Sequence, residues 1–132
     1  MRIAFVVNDI KTEQPGYTTT HLAMAATNLG HEAWYISIDN FCYDSDESIH
    51  AKATRVSKKG HRSCKNYLED LKSKPAINEY INASDLDVLM LRNDPSDDVI
   101  SRPWARLAGI NFARFAIHQG VLVVNDPDGL TQ

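Results

Sequence analysis

Cysteine is scarce in this chain of 132 residues: Cys42 and Cys64 are the only two. Two cysteines do not make a disulfide framework, so the expected stabiliser is a packed core and the expected compartment a reducing cytoplasm. No stretch approaches 18 consecutive apolar residues, so no bilayer-spanning helix is expected. The opening MRIAFVVNDI has too short an apolar segment for a signal peptide and reads as a first strand. Neither Gly-x-Gly-x-x-Gly nor a P-loop follows that segment, which removes the usual dinucleotide and phosphate cradles. The five histidines show no pair at zinc spacing, and His61 with Cys64 gives two ligands where a site needs more. No Gly-x-Ser-x-Gly nucleophile motif occurs. An excess of positive charge is also missing. With 14 basic and 17 acidic residues the net charge is −3, which argues against general binding of nucleic acid or of membrane surfaces.

What is present is the composition of one globular domain, with 43% apolar and 23% charged residues. Ile3 to Val7 is apolar without alternation, the pattern of a strand covered on both faces. A polar loop with Pro15 and Gly16 follows, then Thr18, Thr19 and Thr20, whose hydroxyls suit a helix N-cap. Leu22, Ala25, Ala26 and Leu29 fall on one helical face, and Gly30 is a natural stop. Glu32 to Ile38 is a second strand, and the three elements form a βαβ unit. Phe41 to Val56 reads as a β-hairpin. Between His50 and Lys74 lie eight of the fourteen basic residues against Glu69 and Asp70, a local excess of 8 − 2 = +6. That stretch is either a solvated face or a surface for an anion, a phosphate or a partner. Tyr67, Leu68 and Leu71 mark a short amphipathic helix within it, ending near Lys74 and Pro75, and Ala76 to Asn82 reads as a second short helix. The βα pattern then returns: a strand at 87–91, a long helix from Trp104 to Ala116 closed by Gly120, and a strand at 121–124. The expected architecture is an open, mostly parallel α/β sheet with a basic hairpin and helix insertion.

In open α/β sheets ligands bind beyond the carboxyl ends of the strands. Polar clusters stand at three of those ends: Asn8-Asp9, Arg92-Asn93-Asp94 and Asn125-Asp126. Asn, Asp and Pro also terminate strands for reasons of turn chemistry alone. Arg92 differs, because an arginine directly after an apolar run is a poor turn former and a good carboxylate fork. Thr18 to Thr20 at a helix start offer hydroxyls and amides to an anion, or simply cap the helix.

Four segments together carry a resemblance: MRIAFVVNDI, TTTHLAMAATNLGHEAWYIS, LDVLMLRNDP and GVLVVNDPDGL. They resemble the N-terminal domain of prokaryotic-type glutathione synthetase, from Met1 to the C-terminus and most weakly between Asn40 and Ser84. The resemblance implies a Rossmann-like, three-layer pre-ATP-grasp domain that forms one wall of a substrate cleft. It implies that the ATP-grasp part lies outside this chain, that ATP and Mg2+ act in the intact enzyme, and that the chain by itself holds no cofactor and is not catalytic. The implied reaction joins γ-glutamylcysteine and glycine at the expense of ATP. By matching position, Arg92, Asp94, Asn8, Thr18, Thr19 and Asn93 are the implied substrate-binding residues. The implied partner is a peptide or amino-acid substrate shared with the ATP-grasp part, and a homo-oligomer is compatible with the sequence. Tyr17, Asn93 and Ser96 depart from the family pattern, which leaves open a related ligase with another peptide substrate.

Two other readings stand beside this one. The opening strand, loop, helix and Gly-His-Glu also suit the acceptor domain of a GT-B glycosyltransferase, although only Gly16 remains of its glycine pair. A stand-alone α/β binding module is the third.

Overall fold

The apolar run at the N-terminus becomes β1 (Arg2–Val7), buried from Ala4 to Val7, as a strand with neighbours on both faces must be. The computed structural model describes residues 1–43, 49–92, 114, 117 and 120–124. Among these, further strands are β2 (Glu32–Tyr43), β3 (Ile49–Arg55), β4 (Ile77–Asn82), β5 (Val88–Leu91) and β6 (Leu122–Val124). They form one sheet in the order β4-β3-β2-β1-β5-β6. β1 pairs in parallel with β2 and β5, and β5 with β6. The β2–β3 and β3–β4 pairings are antiparallel. The sheet is therefore mixed but mostly parallel, consistent with the expected open, Rossmann-like α/β fold. Helices α1 (Thr18–Asn28) and α2 (Cys64–Leu71) accompany it, and Arg114 and Ile117 are also helical. The remainder of the long helix expected near 104–116 lies outside the described residues. Among the described residues no helix is long and apolar enough to cross a membrane.

Alternate residues of the strands feed two cores, as a pleated sheet requires. One face gathers Phe5, Tyr35 and Val56 with Ala23 of α1 and Tyr67 and Leu71 of α2. The other gathers Ala4, Val6, Trp34, Ile36, Leu89 and Leu91. Phe5 and Tyr35 meet edge to face at 5.9 Å, a favoured aromatic geometry.

Three expectations change. The hairpin exists, but its first arm is the continuation of β2, across a register shift between Ile36 and Phe41. The segment read as a short helix at 76–82 is instead β4, paired with β3 from His50↔Asn82 to Arg55↔Ile77. Its few apolar residues fit either period, and the open edge of β3 supplied partners for its backbone. Finally, α1 buries Thr19, Thr20, Ala23 and Thr27, while Leu22 is 40% and Leu29 78% exposed. Burying the threonines costs little because their hydroxyls bond locally. Thr20 donates to the Gln14 carbonyl at 2.9 Å and Thr27 to the Ala23 carbonyl at 2.9 Å.

Gly30 closes α1 at φ +93°. Its amide donates to the Thr27 carbonyl and that of His31 to the Ala26 carbonyl, the Schellman arrangement that favours glycine. Asn28 then anchors the basic loop that follows β3. Its Oδ1 accepts from the Gly60 and His61 amides, and its Nδ2 donates to the His61 carbonyl. His61 in turn lies 2.6 Å from Asp70 and stands edge-on to the Tyr67 ring.

Asn28→Ala is expected to cost about 1–2 kcal/mol for the loss of this three-bond anchor, measured by urea unfolding. A second expectation concerns alkaline pH. Burial pushes the Tyr67 phenol up to about 12 and raises that of Tyr35 as well. Below pH about 10 both are protonated, folded or unfolded, and contribute no pH dependence. Above it the unfolded chain loses these protons first, so stability falls as pH rises. In Tyr67→Phe the part due to Tyr67, about 2–3 kcal/mol by pH 12, is expected to disappear from the alkaline unfolding curve.

Candidate functional site

Because β1, β2, β5 and β6 run in one direction, their carboxyl ends share a rim. Arg92 directly follows β5, and its amide donates to the Val6 carbonyl at 2.8 Å, extending the ladder to β1. Its side chain then crosses to α1, where Nε donates to Thr19 Oγ1 at 3.1 Å. Thr19 is 4% exposed in the first turn of α1, whereas the Arg92 residue as a whole is exposed. One guanidinium N–H is thus tied down, and the rest of the donor fork has no hydrogen-bond partner among the described residues.

Thr18 opens α1 and is exposed, and Asn8, half-buried, follows β1 on the same rim. None of the three threonines caps the helix, contrary to expectation. Tyr17 occupies the N-cap without a side-chain hydrogen bond, and the three threonines are the first residues inside the helix. The first-turn amides of α1 therefore lack a side-chain cap, beside an arginine. Of the residues expected at the site, Asn8, Thr18, Thr19 and Arg92 share this rim. Asn93 and Asp94 lie outside the described residues, as do Asn125 and Asp126. Asp9 has the bland role: its Oδ1 accepts from the Lys11 amide and caps the 3-10 turn Ile10–Thr12.

Glu13 belongs to this neighbourhood and carried no signal in the sequence. It is 6% exposed, and burial raises its carboxyl above the ordinary range, with Lys72 and Arg92 pulling it back. Lys72 Nζ donates to the Glu13 carbonyl at 3.0 Å and to that of Lys11 at 3.3 Å. The loop between β1 and α1 is thereby tied to the end of α2. Ser37 was also missed. It is 5% exposed near the carboxyl end of β2's parallel part, and its Oγ accepts from the Ile10 amide at 3.1 Å.

The chemistry available here is recognition of anions, through a planar guanidinium and an uncapped helix start. Among the described residues no group of three His, Cys, Asp or Glu side chains could hold a metal ion. Away from the rim, Cys64 Sγ lies 3.3 Å from His21 Nδ1.

The model of the prokaryotic glutathione synthetase N-terminal domain matches residues 1–131. No curated protein sequence matches the chain significantly. With the match running over all but the last residue, on a mostly parallel α/β sheet, the chain belongs to the family of prokaryotic glutathione synthetase N-terminal domains.

Proposed function

We propose that this domain is the substrate-side wall of a glutathione synthetase-like, ATP-dependent carboxylate–amine ligase. The supporting observation is the Arg92 guanidinium, held by Thr19 at the uncapped start of α1 and exposed on the strand-end rim. In the proposed reaction the C-terminal carboxylate of γ-glutamylcysteine is phosphorylated by ATP. The amine of glycine then attacks the acyl phosphate and releases phosphate. The substrate peptide carries carboxylates, and a guanidinium with spare donors suits one of them. Holding it would orient the peptide for an ATP-grasp part that supplies the nucleotide site.

In this proposal ATP and Mg2+ belong to the ATP-grasp part, and the domain alone is a binding wall and not a catalyst. Asn8 and Thr18 are proposed as further polar contacts on the same rim, with Asn93 and Asp94 beside them in sequence. Thr19 is a positioning residue, since its hydroxyl acts through Arg92. A cytoplasmic location is part of the same proposal.

In the intact enzyme, Arg92→Ala is expected to raise KM for the peptide about 10- to 100-fold, the worth of a lost charge-assisted hydrogen bond, with KM for ATP unchanged. Circular dichroism and thermal melting should show the fold intact. An unaltered peptide KM, or collapse of the fold, would remove Arg92 from the site. Thr19→Val keeps the side-chain shape but removes the acceptor that orients Arg92. A smaller rise in peptide KM, about 3- to 10-fold, is expected there.

A further inference from the structure

A cavity of about 480 Å³ opens on the α1/α2 face of the sheet, near the carboxyl end of β1 and separate from the Arg92–Thr19 contact. Lys11 of the 3-10 turn, Lys52 of β3 and Lys72 at the end of α2 all line it. These residues are far apart in sequence, in a chain of net charge −3, so the fold has concentrated like charge at one place. A cavity lined by charge of one sign attracts the opposite charge.

The three lysines are not equivalent. Lys72 is engaged by the carbonyls of Lys11 and Glu13 and serves as a strut. The side chains of Lys11 and Lys52 are exposed, and neither ammonium has an ion-pair or hydrogen-bond partner among the described residues. The lining carboxylate, Asp9, spends one oxygen on the Lys11 amide. Much of the remaining wall is polar. Ser37, 95% buried, accepts from the Ile10 amide, and its own proton has no acceptor among the described residues. Thr54 and Asn78 are joined to each other by a 2.7 Å hydrogen bond. Leu71 and Ala76 supply apolar lining.

We propose that this cavity is a binding site for a small organic anion, whose carboxylate or phosphate group is held by Lys52 and Lys11 with the Ser37 hydroxyl as a donor. The excess of ammonium over carboxylate and the available Ser37 proton favour an anion, and the apolar lining suits its carbon frame. This site is independent of the ligase reading. It would stand if Arg92 proved irrelevant to the peptide, and could fail while Arg92 was confirmed.

The test is a titration of the isotopically labelled 132-residue chain with inorganic phosphate and, separately, with succinate, at constant ionic strength. Amide chemical shifts provide the readout. Saturable shifts are expected at Ser37, Lys52, Thr54 and Asn78, with affinity reduced about tenfold or more in Lys52→Gln. Lys59→Gln, altered at the opposite end of the sheet, should bind as the unaltered chain does. A response to phosphate alone assigns a phosphorylated ligand, and one to succinate alone a carboxylate; both support the site. No localised shift with either anion, or equal weakening by Lys59→Gln, overturns it. If Lys52→Gln does not fold, Lys11→Gln makes the same comparison.

Discussion

β1 is hydrogen-bonded along both edges in the same sense, with Ile3 opposite Ala33 of β2 and opposite Val88 of β5. The shared position of Asn8 and Arg92 depends on that common direction. Were β5 reversed, Arg92 would leave the sheet at the far end of a four-residue strand, about 13 Å from its present place. Because the strands are parallel, Asn8 and Arg92 emerge on one side and the start of α1 comes back to meet them. The Arg92 amide bond to Val6 adds one further rung to the ladder, so the backbone that carries the guanidinium is part of the sheet.

Packing and the contact with Arg92 are made by the same helix. α1 approaches β2 and α2 largely through threonine and alanine, with Met24 partly buried beside them, while Leu22 and the C-cap Leu29 are exposed. Small side chains allow a close approach, and hydroxyls satisfied by nearby carbonyls can be buried cheaply. Thr19 sits on this buried side and also accepts from Arg92. Its confinement by packing holds the acceptor in place, and with it the orientation of the arginine. The opposite end of α1 is closed by Gly30 and joined to the basic loop through Asn28.

Charge is distributed by the fold in a way composition does not convey. The basic stretch between His50 and Lys74 is divided by the sheet. Lys52 and Lys72 reach the cavity at the carboxyl rim. Arg55, Lys58 and Lys59 surround a smaller cavity of about 250 Å³ at the other end, near Gly30 and Glu32. There Arg55 lies over the Trp34 ring and 3.7 Å from Glu32, which also pairs with Arg2. At the rim, buried Glu13 is the carboxylate influenced by both Lys72 and Arg92. Among the described residues the rim thus gathers Lys11, Lys52, Lys72 and Arg92 with the carboxylates of Asp9 and Glu13.

Continuous apolar runs were enough to locate β1, β5 and β6; β1 is buried as a strand covered on both faces must be, whereas Leu122 and Val124 of the edge strand β6 are exposed. The succession of strand, helix, glycine and strand likewise made the parallel βαβ opening legible, and Arg92 stood out as an arginine where turn chemistry does not want one. Local pattern did not decide the fate of 77–82, since six residues with two isoleucines fit a helix or an edge strand equally. Nor did it reveal the buried face of α1, because hydropathy ranks leucine above threonine and takes no account of hydroxyls bonded to their own helix. Glu13, Ser37 and Lys52 gained their surroundings only from pairings that bring residues dozens of positions apart within a few ångströms. Short-range periodicity therefore determined most of the elements and their order, while the state of 77–82 and which side chains meet were left to long-range hydrogen bonding and close packing, which no local window contains.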